Sequence, residues 1–227
     1  MFRLGISLCI CVFFFAFANL AMADSVWRIT SLDWPPYSDS SADLQGNSIH
    51  KLRALLKEEG IELVVEFFPW ARAQEVAKQE GYVGYFPAWP EEVSDGFSAS
   101  LPVDWSEIGV LTADSNLTWI SLEALFNNKI GLIMTYKYPE VIAKLAKSKS
   151  ENVDSTPNEL SLLKKLSDRR FKTAITDPTV MHFLAAREGI KNIKTLKILE
   201  QKALVLAFRN CPENMKRLKL LNEVITR

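Results

Sequence analysis

Histidine and cysteine are scarce in this 227-residue chain, which has two of the former and three of the latter. That scarcity argues against a structural metal, because His50 and His182 are far apart in sequence and cannot be combined with the cysteines into a recognisable zinc set. An excess of either charge is also absent, with 27 basic and 27 acidic residues, so there is no electrostatic footprint for a nucleic-acid partner. There is no phosphate-binding glycine loop, no paired nucleophile and base, no internal repeat and no low-complexity tract. No cofactor, metal or catalytic residue is expected from such a sequence.

One long hydrophobic run is present, and it stands at the start. Arg3 is followed by an almost wholly apolar stretch at residues 4–17, and Ala21-Met22-Ala23 closes it with small residues. This pattern predicts a secretory signal peptide over residues 1–23, cut before Asp24, and places the mature chain in the periplasm. A retained membrane anchor is the rival, since residues 4–22 approach the roughly 20 needed to cross a bilayer. Cleavage removes Cys9 and Cys11 and leaves Cys211 alone, so no disulfide can form within the mature chain. Its stability has to come from burial.

Beyond the leader, strand-like and helix-like patterns alternate. Residues 26–32 read as a strand, and Asn47 or Ser48 opens a helix with Ile49, Leu52, Leu55 and Leu56 on one side. Gly60 stands at its C-terminus. Residues 61–68 read as a strand broken by Pro69, residues 71–79 as a helix, and residues 82–86 as a short aromatic strand.

A second series follows, with helices from Ser121, Pro139, Asn158 and Pro178 and strands at 130–134, 173–176 and 193–196. Residues 203–208 and a helix from Pro212 return to the first series. Such alternation predicts parallel sheets covered by helices, and two series predict two α/β lobes. The expected division is lobe 1 over 24–110, lobe 2 over 111–201 and a return to lobe 1 over 202–227. Hinge crossings near 108–112 and 201–204 would join them around a ligand cleft.

Several short motifs, in this order and spacing, carry a resemblance. They are Trp34-Pro35-Pro36-Tyr37, Phe68-Pro69-Trp70-Ala71-Arg72-Ala73, Gly84-Tyr85-Phe86-Pro87-Ala88-Trp89, Phe97-Ser98-Ala99-Ser100-Leu101-Pro102, Ile130-Gly131-Leu132 before Thr135-Tyr136-Lys137-Tyr138, and Ala174-Ile175-Thr176-Asp177. Across the mature chain the sequence resembles extracellular solute-binding family 3, the periplasmic receptors of polar amino-acid ABC importers. The resemblance implies a periplasmic binding protein-like α/β fold and a binding role. It also exposes two departures. Where such receptors carry an arginine for the ligand carboxylate this chain has Val93, and where they often carry an aspartate for the amino group it has Lys172.

Candidate ligand-binding residues follow from position. Arg72 stands in the first turn of a predicted helix, where the macrodipole disfavours a cation and a bound carboxylate or phosphate would reverse the penalty. An ion pair with Glu66 or Glu75 is the alternative. Trp34, Trp70 and Trp89 follow predicted strand ends and can line a cleft wall, as can Tyr37 and Tyr85, or they can pack the lobe. Packing is the expected role of Trp27, Trp105 and Trp119. Thr135 and Tyr136 precede a helix and suit an anion. Asp177 serves either as an N-cap or as a ligand contact. Ser98 and Ser100 either donate to ligand or hold the turn before Pro102.

The reading as a whole is of a monomeric protein that captures a small polar ligand, anionic or amino-acid-like, by hinge closure, and delivers it to a membrane importer permease. A ligand-presenting subunit for a membrane sensor ectodomain is the first alternative. A lyase-type enzyme on the same fold, using acids and bases such as Asp33, Glu91, Glu92, Asp177 and Lys172, is the second.

Overall fold

The computed structural model describes residues 26–227; the predicted signal peptide lies outside them. Among the described residues no helix is long and apolar enough to cross a membrane. The chain forms β1 (Val26–Ser31), α1 (Asn47–Glu58), β2 (Glu62–Phe67), α2 (Trp70–Val76), β3 (Gly84–Ala88), β4 (Phe97–Ala99) and β5 (Asp104–Thr112). It continues through α3 (Leu122–Phe126), β6 (Ile130–Ile133), α4 (Glu140–Ser148), β7 (Val153–Thr156), α5 (Glu159–Ser167), β8 (Thr173–Thr176), α6 (Pro178–Arg187), β9 (Lys194–Arg209) and α7 (Pro212–Ile225).

Local chemistry explains most of these boundaries. Asn158, Ser121 and Asp177 each accept a backbone N–H from the first turn of the helix they precede, at 2.9, 3.2 and 3.0 Å. Pro178 and Pro212 occupy first-turn positions, where a missing N–H costs nothing. Helix α1 ends as Gly60 turns to φ 71° and Ile61 N–H returns to the Leu56 carbonyl at 3.0 Å. At its other end Gly46 is the N-cap, with no side-chain bond, so neither Asn47 nor Ser48 caps the helix. The Ser48 hydroxyl donates instead to Asp104 at 2.6 Å.

The strands run β2-β1-β3-β9-β5-β8-β6-β7, with β4 also on β9. β1 is parallel to β2 and β3, and β6 is parallel to β7 and β8. The two parallel sets are the two lobes, and the antiparallel pair β5 and β9 joins them. β9 is one continuous strand, whereas the sequence pattern predicts separate strands at 193–196 and 203–208 with a crossing between. The intervening Lys197-Ile198-Leu199-Glu200-Gln201-Lys202 contains no glycine or proline to break it, and all of it but Leu199 pairs with β5. Its ladder slips between Ile108 and Gly109 and again between Val110 and Leu111, irregularities of the kind that bend a strand.

Buried apolar side chains fill both lobes. Ile29, Leu52, Leu56, Phe86 and Phe208 pack the first, and Phe126, Ile130, Leu163, Phe171 and Met181 the second. Trp27 belongs to this core, but Trp105, expected to pack, is 52% exposed on β5. The joining strands have a solvent side that a lobe interior lacks.

β3 and β9 approach so closely at Gly84 that a Cβ there would run into the Ala207 backbone carbonyl. Gly84→Ala is therefore expected to lower unfolding stability by at least about 2 kcal/mol, read by urea denaturation. A loss within experimental error would show that the pair can separate freely.

Candidate functional site

Parallel strands deliver their C-terminal ends to the space between the lobes, the usual place for a ligand in open α/β sheets. Beyond β1, residues 32–38 fold into a tight turn, with Trp34 N–H donating to the Ser38 carbonyl at 2.8 Å and the Ser38 hydroxyl to the Leu32 carbonyl at 2.7 Å. The turn sets Trp34 and Tyr37 side by side, ring centroids 4.6 Å apart. Beyond β2, Trp70 opens α2. Beyond β3, Trp89 donates its indole N–H to Ser106 at 2.9 Å.

Glu92 fastens this wall. One carboxylate oxygen accepts the Trp89 backbone N–H at 2.9 Å and the other the Trp70 indole at 3.2 Å. Burial pushes the Glu92 carboxyl upward, opposed by those two hydrogen bonds.

The facing wall comes from lobe 2. After β6, Tyr138 accepts the Ile133 N–H and donates to the Ile175 carbonyl, both at 2.8 Å, which fixes the loop carrying Thr135 and Tyr136. After β7, Asn158 caps α5 and Glu159 begins it. Tyr136 donates to Glu159 Oε1 at 2.7 Å, and the Trp34 indole reaches across from lobe 1 to the same oxygen at 3.1 Å and to the Tyr136 hydroxyl at 3.0 Å. Burial, then the Glu159 charge, raises the Tyr136 phenol well above its ordinary value, so it stays a donor.

After β8, Asp177 caps α6 through Oδ1, while Oδ2 accepts the Tyr37 hydroxyl at 3.0 Å and the Glu107 N–H at 3.1 Å. Asp177 is wholly buried, and desolvation pushes its carboxyl up to about 6 despite these donors.

The walls enclose a cavity of about 220 Å³ lined by Trp34, Trp70, Trp89, Glu92, Thr135, Tyr136 and Glu159 among others. Of the residues singled out in the sequence, Trp34, Trp70, Trp89, Thr135 and Tyr136 meet here, and Tyr37 and Asp177 meet each other beside Trp34. Asp33 and Glu92, two of the acids named as possible acid-base groups, line it as well, and the remainder lie elsewhere. Arg72 is exposed on α2 away from the lining, and its expected partners Glu66 and Glu75 pair with Arg28 and Lys78 at 3.0 and 2.7 Å. Tyr85 is buried beneath Trp70 and donates to the Glu92 carbonyl at 2.9 Å.

Ser98 donates to the Asn210 side chain at 2.8 Å, and Ser100 donates to the Leu101 carbonyl at 2.7 Å and accepts the Leu206 N–H at 3.0 Å, so both are engaged around β4. Glu159 went unnoticed because β7, the strand that delivers it, is too short and polar to stand out. An acid in a first helical turn has an ordinary macrodipole explanation. Among the described residues no group of three or more His, Cys, Asp or Glu could hold a metal ion.

Two α/β lobes, joined by paired crossing strands and closing on a cavity at their strand ends, form a periplasmic binding protein-like fold. A histidine kinase sensor domain with similarity to periplasmic binding proteins superposes with a TM-score of 0.73 at 15% identity, over 89% of this chain and 90% of that one. An ancestral arginine-binding protein bound to arginine gives 0.71 at 17% identity, over 89% and 91%. An ABC uptake transporter substrate binding protein from Streptococcus pneumoniae, with bound histidine, gives 0.68 at 14% identity, over 92% and 89%. No family model matches the sequence, and neither does any curated protein.

Because the folded-state Asp177 titrates near 6, above its ordinary 3.8, the folded chain holds a proton between those values that the unfolded chain releases. Its contribution is stabilising at low pH and is lost as pH rises through 6. The parent is expected to lose about 1–2 kcal/mol relative to Asp177→Asn between about pH 5 and about pH 7.5. Parallel denaturation profiles for the two proteins would remove Asp177 as the titrating group.

Proposed function

We propose that this chain is an exported, monomeric solute-binding protein of the periplasm that closes over a small polar ligand and delivers it to a membrane importer. The observation that carries this reading is the meeting of opposite walls on shared atoms. Trp34 reaches Glu159 and Tyr136 across the cleft at 3.1 and 3.0 Å, and Tyr37 reaches Asp177 at 3.0 Å. Such contacts exist only when the lobes approach, so a ligand bridging the same groups gains affinity for the closed form over the open one. The reading keeps the division into 24–110, 111–201 and 202–227, supported by the slips in the joining ladder near residues 108–111. It also keeps the leader over residues 1–23, supported by the Ala21-Met22-Ala23 ending.

The cleft holds carboxylates and phenols but no assembled nucleophile, base and oxyanion donor, which favours capture over chemistry. A second reading, as a ligand-presenting partner or relative of a membrane sensor, is favoured by the similarity to a kinase sensor domain. The two readings share the same closure and differ in what recognises the closed form.

The test is the melting temperature of the purified protein against amino acids, di- and tricarboxylates, polyamines and small sugars. A ligand at a hundred times its dissociation constant stabilises by about 2.7 kcal/mol, several degrees for a chain of this size. A shift, a smaller radius of gyration on saturation and recovery of unaltered ligand are expected. Turnover of the ligand would replace the binding reading with an enzymatic one.

A further inference from the structure

The charge of the cavity wall narrows the ligand. Its lining includes three carboxylates, from Asp33, Glu92 and Glu159, and four aromatic rings, from Trp34, Trp70, Trp89 and Tyr136, but no arginine, lysine or histidine. The expected anion grip, Arg72, lies outside it, and Val93 stands where the resemblance would place a carboxylate-binding arginine. Lys202 is a buried ammonium whose charge also bears on Glu92. Its Nζ is 4.9 Å from the Trp89 ring centroid, 2.9 Å from Glu91 and 3.9 Å from Glu200. Two acids thus neutralise it, and it is not among the lining residues. Arg187 lines an outer groove beyond Trp34, and that groove also carries Asp33, Asp39 and Glu159.

The acids of the wall are not equally committed. Both oxygens of Glu92 are engaged by Trp70 and Trp89. Glu159 receives Trp34 and Tyr136 on Oε1 alone, which leaves Oε2 for a donor from the cleft. A ligand carboxylate placed here would lie among acids with no basic side chain in the lining, and would be disfavoured by repulsion. An organic cation meets the opposite conditions, since indole and phenol rings attract it and a carboxylate gives it a charge-assisted hydrogen bond. The cavity, about 220 Å³, falls below the roughly 300–1,000 Å³ of clefts for drug-sized ligands, so the cation is small.

We propose that the cleft takes a small organic cation, an amine or guanidine lacking a carboxylate, held by Glu159 among the rings of Trp34, Trp70 and Tyr136. This rests on the binding reading above and names the ligand class of that same site. Selection against the amino acid follows from the missing basic residue, and selection for its decarboxylated counterpart follows from the acids and rings.

Isothermal titration with matched pairs tests it: agmatine against arginine, and cadaverine against lysine, with choline and glutamate alongside. At least one of agmatine, cadaverine and choline is expected to bind, with each amine at least tenfold tighter than its amino-acid counterpart. Glu159→Gln is expected to weaken that binding at least tenfold while leaving the ligand-free melting temperature within a few degrees of the parent. Should that variant unfold, the matched pairs on the parent still decide. Preferential binding of arginine, lysine or glutamate would overturn the ligand class and leave the binding reading standing. Failure of every compound, together with no melting shift across the wider panel, would overturn both.

Discussion

The antiparallel pairing of β5 with β9 is the constraint on which both the fold and the site turn. It is the link through which one parallel sheet continues into the other, and its register runs from Asp104 opposite Leu204 to Thr112 opposite Lys194. It also borders the cleft. Ser106 on β5 holds the Trp89 indole, and the backbone N–H of Glu107 reaches Asp177. Lys202 on β9, only 3% exposed, lies under Trp89 and pairs with Glu91. A bend in this ribbon therefore moves groups from both walls together. The joining ladder and the candidate site thus share named bonds.

The walls are built on different principles. Lobe 1 offers rings, fixed by a tight turn after β1 and by the Glu92 carboxylate that ties Trp70 to Trp89. Lobe 2 offers oxygens held at strand ends and helix starts, on Tyr136, Glu159 and Asp177. In the closed arrangement each wall satisfies the other, the Trp34 indole finding two acceptors and Asp177 gaining the Tyr37 hydroxyl. Buried polar groups that are mutually satisfied stabilise the contact between the two walls.

Much of this was legible in the sequence because strand, turn and cap chemistry are local. The β-α-β-α-β order of lobe 1, the Asn158 and Asp177 helix starts and the prolines at 178 and 212 all left direct traces, and so did the aromatic residues following strands. What escaped detection depends on partners distant in sequence. β9 reads as two pieces because its middle is charged and half-exposed, and only pairing with β5 makes it one strand. β7 is four residues long and largely polar, so Glu159 gave no sign of facing a cleft. Arg72 drew notice by helix position alone, and which side of α2 it takes is set by packing, with Ala73 and Val76 buried and Arg72 left outside.

The tryptophans carry a consequence for observing the protein. Trp34 and Trp89 are 7% and 3% exposed, each with its ring against Tyr136 of lobe 2, while Trp105 stands 52% exposed on the joining ribbon. Separation of the walls would hydrate the first two indoles and leave the third in water throughout. Their emission wavelength and access to a soluble quencher would thus report any opening of the cleft, with no label to perturb it.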